Sequence, residues 1–277
     1  MSRSLRLLTL NIHGEPGGRD EKTLSALLRF ILRQHPDVIA LQEVCQTREK
    51  PPLAYHPIGY SAAEPGVSLR EDLFVLHLTR MLCERGERYA WSYLPIKLGY
   101  GKYDEGVALL SREPMRDLTA LTVSKRDDDL DFRTRRLLGA RIGRDFFYSV
   151  HFGRFDDPIE PFFEQWHRAL PVFRRFGDGR TWLMGDFNAP AEDRDGGYDL
   201  VRKSGFFDAW QLPNDGHGAT AVGGIDGWGD ERRYGIRIDQ IWSSAPLCHG
   251  SARRVFDGRE DEVVSDHYGI LIEHIGG

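Results

Sequence analysis

The chain has 277 residues, of which 40% are hydrophobic and 29% are charged, and its formal net charge is -5. This composition is typical of a globular protein, and the acidic balance disfavours a protein that coats nucleic acid, because such proteins usually carry a basic surplus. No stretch approaches the roughly 18 consecutive apolar residues of a membrane span, and the N-terminal segment lacks the long apolar core of a secretion signal. The three cysteines are widely spaced, which is typical of reduced thiols. We therefore expect a soluble cytoplasmic protein with no membrane partner.

Strand-like apolar runs greatly outnumber helical patterns along the chain. In chain order, strands are predicted at residues 5–12, 37–44, 89–98, 106–111, 136–142, 145–152, 180–187, 237–242 and 268–274, and helices at 20–35, 71–87 and 159–176. The Pro- and Gly-rich stretch 49–66 is predicted to be a long surface loop rather than a domain boundary, because strong patterns flank it. Several strands follow one another directly, which favours two mixed sheets with helices outside over a doubly wound parallel sheet. Our interpretation is a single domain over residues 1–277.

Short polar side chains recur at the ends of these predicted strands. In the segment LMGDFNAP at 183–190, Asp186 and Asn188 follow a buried run with one residue between them. The whole set comprises nine residues: Asn11, Glu43, Glu105, His151, Asp186, Asn188, Asp239, Asp266 and His267. One such residue alone is usually a cap or a turn former. Nine of them, nearly all at strand ends of two packed sheets, can share one rim and build a site on a rigid scaffold.

The chemistry that suits this set is hydrolysis of a phosphate ester with a hard divalent cation. Asn11, Glu43 and Asp266 offer the oxygen ligands that Mg²⁺ prefers, and Mn²⁺ is an alternative. Two imidazoles could stand beside the phosphoryl oxygens if carboxylates held each in one tautomer. The sequence has no HExxH and no Cys-rich metal motif, so a structural zinc site has no support.

The segments NIHG, LQEV, DEGVALLSR, SVHF, GDFN, RIDQIW and SDH, in this order, resemble the endonuclease/exonuclease/phosphatase superfamily. The resemblance implies an α/β fold, a four-layer α/β/β/α sandwich of two mixed β-sheets flanked by helices. It implies that Glu43 is the principal metal ligand, with Asn11 and Asp266 near the ion directly or through water. It also implies that Asp186 orients and deprotonates the attacking water and that Asn188 positions the phosphate or that water.

The same resemblance assigns the histidines. It implies that His267 and His151 face the phosphoryl oxygens, that Asp239 pairs with His267, and that Glu105 pairs with His151. A phosphoester resists hydroxide because it is already anionic, so such a site must neutralise the oxygens and hold water in line. The cation and the histidines would do the first, and the strand-end carboxylate the second.

A narrower resemblance concerns the substrate. The segments KYDEGVALLS, PFFEQW, GDFNAPAEDRDGGYDLV, FDAW, GHGAT and IDGW are similar to bacterial phosphatases that act on phosphorylated sugars such as maltose 6'-phosphate. Trp210 and Trp228 beside Gly-rich loops offer flat faces for a sugar ring, with Asp226 accepting hydroxyl groups, although core packing is the alternative for the tryptophans. Arg154 departs from that pattern, which has aromatic residues just after the strand ending at His151. An arginine there either meets a second anionic group or is solvated.

Three functions remain open at this point. The first is a Mg²⁺-dependent phosphatase of a small phosphorylated metabolite such as a sugar phosphate. The second is an endonuclease or exonuclease acting on DNA or RNA, which the net charge disfavours. The densest candidate for its basic groove is the cluster of Arg133, Arg135 and Arg136, and the other interpretation of that cluster is a solvated strand edge. The third is a non-catalytic binding protein on the same fold, which would typically have lost some of the nine residues.

Overall fold

The computed structural model describes residues 4–14, 20–174, 179–216, 218–222 and 235–275. The strands are β1 (Ser4–Asn11), β2 (Val38–Thr47), β3 (Ala90–Gly99), β4 (Tyr103–Ser111), β5 (Met115–Thr122), β6 (Arg136–Ile142), β7 (Asp145–His151), β8 (Thr181–Asp186), β9 (Phe207–Asp208), β10 (Asp239–Ser243), β11 (Gly250–Val255) and β12 (Gly269–Ile275). The helices are α1 (Asp20–Gln34), α2 (Phe74–Glu84), α3 (Phe162–Phe173) and α4 (Gly197–Lys203), and a short 3-10 helix (Ala209–Gln211) follows β9. Among these described helices, none has the length and apolar character needed to cross a membrane.

The strands form two six-stranded mixed sheets. Sheet 1 has the order β11-β12-β1-β2-β4-β3, and sheet 2 has the order β5-β6-β7-β8-β10-β9. Each sheet has one parallel pair at its centre, β1 with β2 and β7 with β8, and its other neighbours pair antiparallel. Sheet 2 is continuous in sequence from β5 to β10 and lies between the two parts of the chain that form sheet 1.

Three apolar clusters separate four layers. Leu27 of α1 belongs to the cluster between the first two helices and sheet 1, and Trp166 of α3 belongs to the cluster between sheet 2 and the last two helices. Between the sheets, Leu7 of β1 and Met184 of β8 share a third cluster. Both faces of the central strands are therefore buried, which is why they are continuous apolar runs in the sequence. The predicted α/β/β/α sandwich is confirmed.

The predicted elements correspond to the observed ones with shifts of a few residues at their ends. The stretch 49–66 runs as a loop between β2 and α2, as predicted. Five of the described elements were not predicted, namely β5, β9, β11, α4 and the 3-10 helix. The ends of the central strands that carry the predicted polar residues meet at one rim of the two packed sheets, and this rim holds the candidate site.

Candidate active site

Three neighbouring strands of sheet 2 place three of the predicted residues side by side. His151 and Asp186 end β7 and β8 and lie opposite one another, and Asp239 opens β10 opposite Asp186. Residues opposite one another on adjacent strands project to the same face of a sheet. All three side chains are buried, with at most 5% of each residue exposed. The register of sheet 2 thus brings these three side chains of the candidate site together.

The GDFN segment is fixed by its own local contacts. A Cβ atom added at Gly185 would lie 1.9 Å from the carbonyl oxygen of Val150 on β7, so this position requires glycine. The backbone N–H of Asn188 donates to Asp186 Oδ1 at 2.8 Å, and Asn188 Nδ2 donates to the carbonyl of Phe152 at 3.0 Å. Asn188 has a φ of 46°, a left-handed conformation that asparagine tolerates better than most residues. The turn therefore holds both polar side chains in set positions.

Asp186 has an environment that suits proton transfer near neutral pH. Its Oδ2 accepts a hydrogen bond from Asn11 Nδ2 at 3.3 Å and lies 3.6 Å from His151 Nε2. Burial, followed by the nearby negative charge of Asp239, raises the pKa of Asp186 to about 7. A carboxylate that titrates in this range can take a proton from water and later release it.

The predicted contact between Asp239 and His267 is present. Asp239 Oδ2 lies 2.9 Å from His267 Nδ1, and both residues are almost completely buried. Burial alone would lower the pKa of His267, but the carboxylate of Asp239 outweighs it and raises that pKa to about 10. The ring is therefore protonated at neutral pH, and its Nε2–H remains as a donor at the cavity that His267 lines.

The predicted contact between Glu105 and His151 is not formed. Glu105 on β4 lies opposite Lys97 on β3, and Lys97 Nζ is 3.1 Å from Glu105 Oε1. The nearest carboxylate contact of His151 in the described residues is with Asp186 instead. Burial, and then the positive charge of Arg135, hold the pKa of His151 well below its ordinary value. The cross-strand lysine takes the place that the prediction gave to the imidazole.

Glu43 is turned into the cavity by an irregularity of β2. The pairing of β2 with β4 shifts register between Leu41 and Val44, and Glu43 within this bulge has a φ of 53°. The N–H of Gly14 donates to the carbonyl oxygen of Glu43 at 3.0 Å, and a Cβ atom on Gly14 would lie 2.6 Å from that oxygen. Bulges of this kind re-aim side chains near active sites.

Two carboxylates converge on one imidazole at the end of sheet 1. Glu43 Oε2 and Asp266 Oδ2 lie 3.4 Å and 3.5 Å from His13 Nδ1. Burial would raise the pKa of Glu43, but the hydrogen bond with His13 counters it and the pKa is held below its usual range. Ionised carboxylates are the ligands that a hard divalent cation prefers, so this group fits Mg²⁺ or Mn²⁺.

The side chain of Asn11 contacts Glu43, Asp186 and the backbone of His13. Its Nδ2 donates to Glu43 Oε1 at 2.9 Å, whereas its Oδ1 accepts the backbone N–H of His13 at 3.1 Å. In this arrangement Asn11 donates to the carboxylates of Glu43 and Asp186, and its place near an ion stays a prediction.

A second group could also hold a cation. One ligand atom each of Asp186, Asp239 and His267 lies within 4.8 Å of the others. However, His267 Nδ1 is engaged with Asp239, and a protonated imidazole has no lone pair left to bind a metal. This group is better suited to carrying protons than to binding a cation, whereas the Glu43 and Asp266 carboxylates suit the cation.

One cavity of about 400 Å³ joins the two halves of the site. It is lined by most of the predicted residues, by Arg133 and Arg135 of the predicted basic cluster, and by His13 and Lys97, which were not assigned a role. A cavity of about 460 Å³ beside Arg144 and Arg180 is larger but contains none of the predicted residues. The larger cavity is therefore not the candidate site.

Arg135 is a buried cation on the wall of this cavity. It is 9% exposed, and its Nη1 donates to the carbonyls of Phe132 and Thr134 at 2.7 Å and 2.9 Å. Its Nε has no hydrogen-bond partner among the described residues. Burying a charge is costly unless it is paired, so a bound anion would satisfy this arginine. The position of His13 two residues after Asn11 is a sequence signal that could have identified it. The place of Lys97 depends on strand register, and Arg135, just before β6, belongs to the basic cluster that the sequence shows.

The predicted substrate-binding residues have different outcomes. Trp228 and Asp226 lie outside the described residues. Trp210 lies in the 3-10 helix and packs against the core between the sheets, and it is not among the residues that line the cavity. Arg154 does line the cavity, and its Nη2 is 3.0 Å from Asp156 Oδ2.

Comparisons with known proteins place the site in a family context. A family model described as the endonuclease/exonuclease/phosphatase family matches residues 8–267. The structure of an endonuclease/exonuclease/phosphatase family protein from Leptotrichia buccalis is similar to this chain with a TM-score of 0.83 at 25% identity, over 97% of this chain and 98% of that chain. No match to the chain was found among curated proteins.

Two further structures share the fold at lower identity. A mannosyl-6-phosphatase from Bacteroides thetaiotaomicron has a TM-score of 0.61 at 15% identity, over 98% of this chain and 100% of that chain. A 3' phosphatase from Neisseria, bound to a product DNA hairpin, has a TM-score of 0.60 at 19% identity, over 98% and 99%. Since one acts on a sugar phosphate and the other on DNA, the fold leaves the substrate class open.

Proposed function

The chain belongs to the endonuclease/exonuclease/phosphatase family, whose model covers nearly all of its length, and we propose that it is a Mg²⁺-dependent phosphomonoesterase of a small phosphorylated metabolite such as a sugar phosphate. The phosphoester hydrolase activity follows from the family. The choice of a monoester, of Mg²⁺ and of a small substrate is the proposal.

The proposed chemistry begins with the attacking water. Asp186, whose pKa is raised to about 7, accepts a proton from that water as it approaches phosphorus, and Asn188 positions the water or the phosphate. Glu43 and Asp266 would hold Mg²⁺, which would supply positive charge to neutralise the phosphate.

The histidines act on the other phosphoryl oxygens. His267 stays protonated because of Asp239 and donates its Nε2–H to an oxygen whose charge grows in the transition state. His151, with a lowered pKa, is neutral and can act as a hydrogen-bond partner only. Arg135 adds a fixed positive charge on the cavity wall.

The proposal of a small substrate rests on one observation: apart from Arg135, the lysine and arginine side chains that line the cavity are paired with carboxylates. The pairs are Lys97 with Glu105 at 3.1 Å, Arg133 with Asp157 at 3.0 Å, and Arg154 with Asp156 at 3.0 Å. A nuclease binds several successive phosphates through cations that are free to neutralise them. Cations that are already neutralised by neighbours leave one phosphate subsite rather than a basic track.

The test is a phosphate-release screen. Purified protein would be assayed on sugar phosphates, nucleotides, inositol phosphates and nicked or abasic DNA, with Mg²⁺, with Mn²⁺ and with EDTA. We expect a sugar monophosphate to be the best substrate, activity to need the cation, and Asp186→Asn to lower kcat by about 10²–10⁴. If DNA were cleaved as fast as any monoester, or if no monoester released phosphate, the proposal would be wrong.

A nuclease is the second candidate, because Arg133 and Arg135 of the predicted basic cluster do line the cavity. Arg136, the third member, is turned to a neighbouring cavity and paired with Glu64 at 2.5 Å. The salt dependence of DNA binding separates the two candidates. A nuclease would lose affinity steeply between low and physiological salt, whereas contact with a single phosphate gives a shallow dependence.

A further inference from the structure

Two exposed aromatic side chains stand at the mouth of the cavity. Tyr100 is 59% exposed and Phe132 is 60% exposed, and both line the cavity that holds the catalytic residues. Tyr100 lies in the turn between β3 and β4, and Phe132 lies in the loop between β5 and β6. Exposed aromatic rings beside a polar cavity are a common feature of ligand recognition.

The backbone at Tyr100 is strained in a way that a glycine would relieve. Its φ is 49°, in the left-handed region that a bulky residue rarely adopts. The residues on both sides are glycines, Gly99 and Gly101, so this turn is already rich in the residue that the conformation favours. A bulky side chain held in an unfavourable conformation beside an active site points to a use for that side chain.

Phe132 is held on a well-anchored loop. The N–H of Leu98 on β3 donates to the carbonyl of Asp129 at 2.7 Å, which joins this loop to the strand that precedes Tyr100. Arg133 stacks on Phe132, with its Cζ 4.2 Å from the ring centroid, and Asp157 fixes Arg133 through two hydrogen bonds of 3.0 Å and 3.2 Å. The ring is thus pre-positioned at the mouth, which lowers the entropy cost of binding a ligand.

Each of the two aromatic residues contacts a residue that lies deeper in the cavity, where the phosphate is proposed to bind. Tyr100 Oη is 3.5 Å from His13 Nε2, whose Nδ1 faces the carboxylates of Glu43 and Asp266. The carbonyl of Phe132 accepts the hydrogen bond from Arg135 Nη1. A phosphate bound at the bottom of the cavity would therefore direct its leaving group toward these two rings.

We propose that Tyr100 and Phe132 form a leaving-group subsite that binds the ring of a phosphorylated sugar. The C–H bonds on one face of a pyranose carry partial positive charge and suit the negative face of an aromatic ring. A nucleobase could also stack on these rings, and the test separates the two. This inference rests on the proposed phosphomonoesterase activity, because it places the leaving group of that reaction.

The experiment compares a substrate that has a ring with one that has none. Glucose 6-phosphate, mannose 6-phosphate, adenosine 5'-monophosphate and sn-glycerol 3-phosphate would be assayed with wild type, Tyr100→Ala, Phe132→Ala and Tyr100→Phe. We expect each alanine variant to lower the ratio of kcat/KM for the hexose phosphates over glycerol phosphate by about 3- to 10-fold, mainly through KM. Tyr100→Phe keeps the ring and should keep the ratio nearer to that of wild type.

Phe163→Ala is the matched control, because Phe163 on α3 is 48% exposed and is not among the cavity-lining residues. It should leave the ratio unchanged. Thermal unfolding of every variant would show that the fold is retained.

The inference is overturned if the alanine variants lower the hexose and glycerol activities equally, if neither activity changes, or if only the nucleotide activity falls. A wild type that hydrolyses none of the monoesters but cleaves DNA would overturn the proposed function itself. That result is distinguishable, because it appears before any variant is made.

Discussion

Asp239→Asn is the most informative single change, because it alters charge at a buried position with almost no change in size. The carboxylate of Asp239 is the main reason that the pKa of His267 stands at about 10 against an ordinary value of 6.5. Asparagine removes that charge, while the burial that opposes protonation remains. The charges of Asp186 and Asp266 still favour protonation, but less than Asp239 does, so the pKa of His267 in the variant should fall to about its ordinary value or below.

The size of the effect follows from that fall. A change from about 10 to 6.5 or below represents at least about 5 kcal/mol of lost preference for the protonated ring. At pH 7.5 no more than about one tenth of the variant molecules would carry a protonated His267 ring. In these molecules the ring would also be held less firmly, because the carboxylate that orients it is gone. Since one well-placed donor to a developing oxyanion is worth about 10²–10³ in turnover, we expect kcat to fall by about 10² or more.

The assay is kcat and kcat/KM across pH 5.5–9 for wild type and variant. His267 has a raised pKa in the wild type, so it stays protonated across this range, whereas in the variant it gains its proton only as the pH falls. The ratio of variant to wild-type activity should therefore rise toward acid pH. In a His267→Gln background, Asp239→Asn should cost less than it does alone, because the imidazole is already gone and only the effect of Asp239 on the pKa of Asp186 remains.

Two results would refute this reasoning. One is a variant that keeps activity within threefold of wild type at pH 7.5. The other is a ratio that does not change with pH, since that would mean that the lost activity has nothing to do with the protonation of His267.

Further predictions concern the cation and the fold. Glu43→Gln should abolish most of the activation by Mg²⁺. Mg²⁺ should raise the Tm of wild type but not of this variant, because only a protein that binds the ion gains stability from it. Equal Mg²⁺ titrations of the two proteins would show that Glu43 is not a ligand. Asp208→Ala leaves Arg237, which is 5% exposed and 2.6 Å from the lost carboxylate, as an unpaired buried charge. It should destabilise the fold by about 3–5 kcal/mol and lower Tm by about 10 °C. Glu71→Ala, which breaks the exposed pair with Arg80, should cost less than about 1 kcal/mol, and equal losses in the two variants would contradict the argument.

The architecture could be predicted from the sequence because the central strands are buried on both faces. Their apolar runs need no neighbouring strand to be recognised. The strands that were not predicted, β5, β9 and β11, are all edge strands or short ones. β5 has no fully buried residue, so its sequence lacks the apolar alternation that identifies a strand. Helix α4 begins with glycine and spans only 7 residues, too few to show a period.

The contacts of the site that follow from the order of the motifs along the chain were predicted, whereas the contact that depends on strand register was not. The Asp239 and His267 contact joins segments that the family resemblance aligns. The contact of Glu105 with Lys97 depends on the pairing of β3 with β4, which shifts register between Pro95 and Lys97. No local pattern in the sequence fixes such a shift, because a bulge changes which residues face one another. The catalytic roles themselves stay predictions.

The nesting of sheet 2 within sheet 1 has a consequence for the order in which the protein is made. Ser4 of β1 donates its hydroxyl to Glu273 of β12, which lies 269 residues further along the chain. As the chain is made, every strand of sheet 2 leaves the ribosome before β12 does, and folding of a growing chain proceeds from its N-terminal side. Asp186 and Asp239 can therefore leave the ribosome while Asp266 and His267 are still inside it. We expect the nascent chain to remain inert toward phosphate esters until its last strand has docked against its first.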